Sequence, residues 1–351
     1  VLSRAWQHYQ LDLATHNPEQ HPFVQVAAAL SAASQNGAIR LLLEFPADWQ
    51  ALVAWIEQLM EESLGKGGKG IVVFKETPQH SQAACFQAAD TLHVRITTEH
   101  IPLSQEQHLF TFPQPYLASE EPQERLAALA ANFLGWQLTM ALYGYLHNIT
   151  FAGQPAVENY KARARTLRSL PDPLQAASDW PATFREGALT LCAPARFAQA
   201  QVAGPARIFA QALHEVFQQQ GQAAGYLDLT LNGEVPPELE QVIFSHLHAL
   251  GNRLLRVPVK PRHAPADYHS TEQSEMDGPP YLLSLRLLFR EHEAPLVGTY
   301  TDAFLRAQAV STWQAMLSAG RPCFLLIVDG KAAQTSEPLE QFFTQVEQLL
   351  A

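Results

Sequence analysis

The sequence predicts an α/β protein made of two α/β regions, each with a mainly parallel sheet covered by helices. Three observations predict it. The chain has 351 residues, enough for about two domains. Short apolar runs of strand length alternate with helical stripes in both halves. A proline-containing connection at 171–185 separates the halves. We therefore expect a first domain at 1–170, a linker at 171–185 and a second α/β domain at 186–351.

The first region begins with a helix over 22–35, which Gly37 is placed to end. Residues 39–45 form a near-continuous apolar run, typical of a strand covered on both faces. Asp48 can cap the next helix, which leads into a glycine-rich run. The remaining predicted elements are strands at 71–74 and 92–96 and helices at 126–146 and 154–168.

The helix over 126–146 contains no charged residue over 21 positions, which is long enough to span a membrane. Asn132, Gln137 and Thr139 dilute its apolar character. Because a helix apolar on all sides is also needed at the centre of a large α/β domain, we interpret it as a buried helix and expect no membrane partner.

The second region repeats the alternation of strands and helices. Strands are predicted near 188–192, 226–231, 253–257, 281–289 and 323–328, and helices near 206–219, 237–250, 301–319 and 339–350. The polar stretch 260–280 is predicted to be a long loop. Loops of this length in compact domains are often functional.

Composition limits the function classes. The net charge of −11 argues against nucleic-acid binding, which needs a basic patch. Hydrophobic residues make up 47% of the chain and exclude global disorder. The cysteines, Cys85, Cys192 and Cys323, give no disulfide framework and no zinc spacing, so we expect a cytoplasmic protein with no metal and no cofactor. Because the chain starts at Val1 without a leader sequence, we expect it to begin inside a longer protein.

Three segments carry groups capable of chemistry. Glu62 ends a helix beside the run Gly65 to Gly70, whose order is wrong for a P-loop, so both a functional carboxylate and an exposed acidic turn remain open. Lys161 lies nearly two turns into a helix that begins at Pro155. Both a functional lysine and an ordinary solvated lysine remain open at this position. His269 lies in the long loop beside Ser270, where acid–base work and a plain surface histidine are both open.

Taken together, the segments resemble a known family. WIEQLMEESLGKGGKGIVVF (55–74), LYGYLHNITFAGQPAVENYK (142–161), KPRHAPADYHSTEQSEMDGPP (260–280) and LRAQAVSTWQAMLSAGRPCFLL (305–326) are similar, in the same order, to segments of glucose-6-phosphate isomerases. The resemblance is to the C-terminal part of the type joined to a transaldolase, and spans about 22–330. It implies a sugar-isomerase-like, doubly wound domain followed by a second α/β domain.

The resemblance also implies residue roles. Glu62 matches the base that moves a proton through a cis-enediol, Lys161 the cation at the ring oxygen, and His269 the ring-opening histidine. Gln154, Ser270 and Gln273 match substrate-contacting positions. The implied partners are a sugar phosphate, an N-terminal isomerase half and a transaldolase domain of the same chain, with a homodimer as one assembly option.

Several positions depart from the family pattern. A hydroxyl is lost at Leu64, Gly153 replaces an aspartate, and Glu272 replaces a glycine. Met276 and Asp277 stand where lysine and glycine are expected. A glutamate in place of glycine suggests an intrusive charge near the site. These departures favour the alternative function, a non-catalytic sugar-phosphate-binding or scaffold relative.

Overall fold

The computed structural model describes residues 1–9, 17–75, 84–86, 90–200, 204–219, 225–265, 271–280, 282–291 and 301–351. The described residues form two units, each with its own sheet. Unit 1 comprises Val1–Gln154 and Asp277–Pro279, and unit 2 comprises Pro155–Met276 and Pro280–Ala351. Both sheets are mostly parallel, which confirms the predicted α/β class.

Unit 1 is built on a five-stranded sheet with the order β2-β1-β3-β5-β4. Its strands are β1 (Ala38–Glu44), β2 (Gly70–Phe74), β3 (Thr91–Thr97), β4 (Ser104–Glu106) and β5 (Leu109–Pro113). Only the short β4 pairs antiparallel to its neighbour among these strands. The helices of this unit are α1 (Leu2–Tyr9), α2 (Pro22–Ala33), α3 (Ala51–Leu64) and α4 (Pro122–Leu146).

Helix α4 lies in the core of unit 1, and two of its buried polar side chains make hydrogen bonds there. Asn132 exchanges hydrogen bonds with Gln114, and the Thr139 hydroxyl donates to the Phe23 carbonyl oxygen. Gly135 allows α2 to approach closely, because a Cβ at this position would lie 2.1 Å from the Phe23 ring. Among the described residues, α4 is the one helix long and apolar enough to cross a membrane, and 50% of its most apolar stretch is buried inside the structure.

Unit 2 is built on a six-stranded sheet with the order β6-β7-β11-β10-β8-β9. Its strands are β6 (Thr183–Glu186), β7 (Leu189–Cys192), β8 (Tyr226–Asn232), β9 (Val259–Ala264), β10 (Leu282–Glu291) and β11 (Cys323–Lys331). Strands β9, β8, β10 and β11 are mutually parallel, and β7 and β6 extend the sheet antiparallel. The helices are α5 (Pro155–Arg168), α6 (Gln175–Ser178), α7 (Pro205–Leu213), α8 (Pro237–His248), α9 (Glu272–Asp277), α10 (Asp302–Ser318) and α11 (Ser336–Leu350).

The two faces of the second sheet differ in chemistry. Alternate residues of β8 and β10, all apolar, join the core formed with α7, α8 and α11; they are Leu227, Leu229, Leu231, Leu283, Leu285, Leu287 and Phe289. The intervening residues of β8, β9 and β10 include six polar side chains that are nevertheless buried; they are Asp228, Thr230, Lys260, Arg262, Ser284 and Arg286. The parallel register places Ser284 beside Asp228 and Asp228 beside Lys260.

Several predicted elements are wrong in detail. The strand predicted at 253–257 is a π-helical turn, Ala249–Leu255, and the strand follows it as β9. The predicted loop 260–280 therefore contains most of β9 and all of α9. The polar composition of this stretch suggested a loop, but Arg262, Glu272 and Glu275 are buried charged residues within β9 and α9. Asp48 does not cap α3, which begins at Ala51 without a side-chain cap.

The division between the units also differs from the predicted linker. The units divide between Gln154 and Pro155, ahead of α5, whereas the sequence indicated a boundary at 171–185. Helix α5 belongs to unit 2, where it packs against α10. The predicted linker contains α6 and most of β6.

Candidate functional site

Two neighbouring glutamates end helix α3 and have different environments. Glu61 is fully buried, and its Oε1 accepts a hydrogen bond from the Val73 amide at 2.8 Å. Glu62 is partly exposed, and its Oε2 accepts from Gln58 Nε2 at 3.1 Å, one helical turn earlier. Glu61 therefore ties α3 to β2, whereas the carboxylate of Glu62 reaches the surface of unit 1.

The glycine-rich run after Glu62 is fixed by its own lysines. Lys66 Nζ donates to the Thr150 carbonyl oxygen at 2.8 Å, and Lys69 Nζ donates to that of His147 at 2.9 Å. Burial lowers the pKa of Lys66, while Asp277 and Glu62 oppose that shift. Both lysines bind the turn that precedes Gln154, so the first and second predicted segments are joined inside unit 1.

The backbone of this run is constrained as well. The Gly68 amide donates to the Asp277 carbonyl oxygen at 2.8 Å, which joins the run to the end of the third segment. Gly70 has a φ of +128°, and a Cβ there would lie 2.7 Å from the Leu64 carbonyl oxygen. Only glycine fits this return from α3 into β2.

The second and third segments meet inside unit 2. Gln273 is buried, and its Oε1 accepts from the Ala156 amide at 3.1 Å. This bond satisfies one of the amides that the first turn of a helix leaves without a partner. Gln273, predicted to bind substrate, thus caps α5 next to Gln154 in the chain.

The other predicted residues are distributed between the units. Glu62 and Gln154 belong to unit 1, and Lys161 belongs to unit 2. The side chain of Lys161 is 35% exposed, with its Nζ 3.3 Å from Glu158 Oε1. His269 and Ser270 lie outside the described residues.

A group of buried ionisable side chains includes two glutamates that follow Ser270 closely in the chain, Glu272 and Glu275. We call Asp228, Arg262, Glu272, Glu275 and Arg286 the buried charge cluster; each side chain is at most 2% exposed. Arg262 Nε donates to Asp228 Oδ1 at 2.5 Å, and Arg286 Nη2 donates to Glu275 Oε2 at 2.7 Å. Arg262 Nη1 lies 3.1 Å from Glu275 Oε1. The cluster therefore links α9 to three adjacent strands.

The carboxyl groups of the cluster differ in protonation. Burial works against ionisation of Glu275, but Arg262 and Arg286 outweigh it, so the pKa of Glu275 lies below its ordinary value. Burial raises the pKa of Glu272 from 4.5 to about 8, against the opposing effect of Arg286. Burial also raises the pKa of Asp228, although Arg262 opposes the shift.

Glu272 is close to a cation but poorly hydrogen-bonded. Its Oε1 lies 3.2 Å from Arg286 Nη2, which by distance is an ion pair. Neither of its oxygens makes a well-aligned hydrogen bond with the described residues, so the contact is weaker than the distance suggests. The glutamate that replaces a family glycine is thus buried in the interior of unit 2.

Sequence reasoning singled out Glu272 but missed the rest of this cluster. The signal available was alternation: Asp228 and Thr230, Lys260 and Arg262, and Ser284 and Arg286 are each two residues apart. Residues with this spacing share one face of a strand. The cluster fixes α9, the element that follows the predicted His269 and Ser270.

The described cysteines are buried thiols. Burial raises the pKa of Cys192 to about 11 and that of Cys323 to about 12, so both are protonated at neutral pH. Among the residues that the structure describes, no group of three or more His, Cys, Asp or Glu side chains is arranged to hold a metal ion.

Comparisons with known proteins give only distant structural similarities. No protein-family model matches the sequence, and no curated protein matches it. A hypothetical protein from Thermus thermophilus aligns at 13% identity and a TM-score of 0.32, covering 99% of this chain and 88% of that one. A glucose-6-phosphate isomerase from Chlamydia trachomatis aligns at 12% identity and a TM-score of 0.31, covering 99% and 72%.

The C-terminal domain of glucosamine-fructose-6-phosphate aminotransferase from Francisella tularensis aligns at 9% identity and a TM-score of 0.29, covering 99% of this chain and 93% of that one. Alignments at these TM-scores do not determine a function. The α/β class is established by the sheets themselves, and the function has to be argued from the residues.

Proposed function

We propose that this protein is a sugar-phosphate isomerase that interconverts glucose 6-phosphate and fructose 6-phosphate through a cis-enediol. We further propose that it is the C-terminal part of the type joined to a transaldolase, is cytoplasmic, and works with an N-terminal isomerase half. The observation that carries the proposal is the occurrence of four family-like segments in the family's order, with Glu62, Gln154 and Lys161 at the matching positions.

The environment of Glu62 supports its role as the base. Its carboxylate is partly exposed and accepts one hydrogen bond, from Gln58, so it can approach a substrate proton. Its neighbour Glu61 is occupied by the Val73 amide. The glycine-rich run behind Glu62 is fixed by Lys66 and Lys69, which limits the movement of the helix end. A positioned carboxylate of this kind suits general acid–base catalysis.

Lys161 has the chemistry for the second role. A cation near the ring oxygen stabilises negative charge as the ring opens. Its contact with Glu158 is a surface pair, which is worth about 0–1 kcal/mol and can be exchanged for a substrate contact at little cost. The Gln273 cap on Ala156 holds the helix that carries Lys161.

The test is isomerase turnover of fructose 6-phosphate by the full-length protein and its variants. Glu62→Gln should lower kcat by orders of magnitude with folding unchanged, and Lys161→Ala should lower it less. Glu158→Gln, on the same helix as Lys161, is the matched control and should retain activity. Exchange of a C1 hydrogen of fructose 6-phosphate in D2O should be lost in Glu62→Gln, because the same base removes that proton to form the cis-enediol.

A second candidate, sugar-phosphate binding without turnover, is favoured by Glu272. This residue replaces a family glycine and is committed to the buried charge cluster. A folded full-length protein that binds fructose 6-phosphate but neither isomerises it nor exchanges its C1 hydrogens would contradict the isomerase proposal and support this alternative.

A further inference from the structure

A cleft on unit 2 lies between helices α5 and α10. Its volume is about 220 Å³, and its lining includes Tyr160, Lys161, Arg165, Arg168, Phe304 and Gln308. Pockets for drug-sized ligands have volumes of roughly 300–1,000 Å³. The cleft therefore suits a small molecule.

One wall of the cleft is positively charged. Lys161, Arg165 and Arg168 are spaced by four and three residues along α5, so they lie on the same side of the helix. None of the described lining residues is acidic. The acidic partner that the structure gives to Lys161 is Glu158, whose side chain is 68% exposed. Three cations facing one cleft favour an anionic ligand.

The opposite wall offers a buried amide. Gln308 is 6% exposed, and its Oε1 has no hydrogen-bond partner among the described residues. Buried polar atoms in native proteins are rarely left unpaired, because the cost of removing them from water is then not recovered. This oxygen can accept a hydrogen bond from a ligand hydroxyl.

Phe304 adds an apolar surface and orients one of the cations. The Arg168 guanidinium carbon lies 5.0 Å from the centre of the Phe304 ring, within range of a cation–π interaction. This contact holds the guanidinium group of Arg168 beside the cleft. The ring provides surface for the carbon skeleton of a ligand.

The position in the fold is one where ligands commonly bind. Helix α10 lies between the parallel strands β10 and β11 in the chain, and Arg306 in its second turn donates to the carbonyl oxygen of Arg290 near the end of β10. Phe304 and Gln308 flank Arg306 and so lie toward the carboxyl end of that strand. Open α/β sheets bind ligands outside the carboxyl ends of their strands.

We propose that this cleft binds a small phosphate monoester that carries free hydroxyl groups. Arg165 and Arg168 bind the phosphate oxygens, for which the guanidinium fork is suited. Gln308 accepts a hydrogen bond from a hydroxyl, and Phe304 contacts the carbon chain. The proposal concerns binding; it shares Lys161 with the proposed function but is argued from the cleft itself.

Isothermal titration of the full-length protein with glycerol 3-phosphate, inorganic phosphate and glycerol tests the proposal. Glycerol 3-phosphate should bind more tightly than phosphate, and glycerol should not bind. Arg165→Ala and Arg168→Ala should each weaken the affinity for glycerol 3-phosphate at least tenfold. Arg163→Ala is the matched control, because Arg163 is on the same helix but bonds to Ser318 and does not line the cleft; its affinity should be unchanged.

Variants of Gln308 provide a second test of the proposed binding site. Gln308→Leu should reduce the affinity for glycerol 3-phosphate to that for inorganic phosphate. Gln308→Glu keeps the side-chain shape and places a negative charge opposite the cations, so it should abolish binding of glycerol 3-phosphate. This variant still tests the proposal if Gln308→Leu fails to fold. Equal affinity of the wild type for phosphate and glycerol 3-phosphate, or an equal loss in Arg163→Ala, would overturn the proposal.

The outcome is separable from that of the isomerase assay. Binding that depends on Arg165 and Arg168 without fructose 6-phosphate turnover contradicts only the proposed function. Turnover without saturable binding of glycerol 3-phosphate contradicts only the cleft.

Discussion

Arg286 provides the sharpest test of the buried charge cluster. It is fully buried, with Nη2 2.7 Å from Glu275 Oε2 and 3.2 Å from Glu272 Oε1. Arg286→Met keeps most of the side-chain volume but removes the positive charge. The change removes one of the two guanidinium groups that compensate Glu275, and Arg262 then has to compensate both Glu275 and Asp228. We therefore expect a loss of about 3–5 kcal/mol of unfolding free energy. At about 2–4 °C per kcal/mol for a unit of this size, the melting temperature should fall by roughly 6–20 °C.

The same strand provides a matched control. Arg290 forms an ion pair of similar length with Asp329, 2.6 Å, but the two side chains are 37% and 50% exposed. Exposed pairs contribute about 0–1 kcal/mol, so Arg290→Met should shift the melting temperature by only a few degrees. Urea unfolding followed by circular dichroism, together with a thermal scan, measures both variants.

A double variant identifies the cause. Arg286→Met combined with Glu275→Gln also removes the carboxylate that lost one of its two cations, so part of the stability should return. If Arg286→Met costs no more than Arg290→Met, charge compensation is not what holds α9 to the sheet. A double variant less stable than Arg286→Met alone would likewise refute the reasoning.

Two further predictions concern Glu272 and Gly135. The pKa of Glu272 is raised from 4.5 to about 8, so between these pH values the native state holds a proton that the unfolded state has lost. The resulting contribution to the free energy of unfolding is fully present below about pH 4.5. It is lost as the pH rises toward 8, at up to about 1.4 kcal/mol per pH unit. Glu272→Gln should remove this slope in urea unfolding between pH 5 and 8, and an unchanged slope would contradict the protonation of Glu272. Gly135→Ala places a methyl group 2.1 Å from the Phe23 ring and should cost about 1–3 kcal/mol despite the better helix propensity of alanine. Thermal unfolding measures that loss, and Phe23→Leu in the same chain should restore part of it.

The sequence predicted the fold class because its signals are local. The apolar run at 39–43 and the alternating leucines of β8 and β10 mark strands from their own residues, and the stripe on α3 marks a helix. The same local reasoning failed at β9, whose alternation of Lys260 and Arg262 looks solvent-exposed until the partners of those side chains are known.

For the candidate site, the sequence by itself determined which residues are available: Glu62 at the end of a helix, Lys161 within a helix, and Gln273 in a polar segment. Only the tertiary structure decided that Gln273 caps α5, that Asp228, Arg262, Glu275 and Arg286 meet out of water, and that Gln308 lies across a cleft from Arg165. The physical reason is that strand register and helix packing bring together groups far apart in the chain, and burial then changes their protonation. Neither effect can be read from the spacing of residues along the sequence.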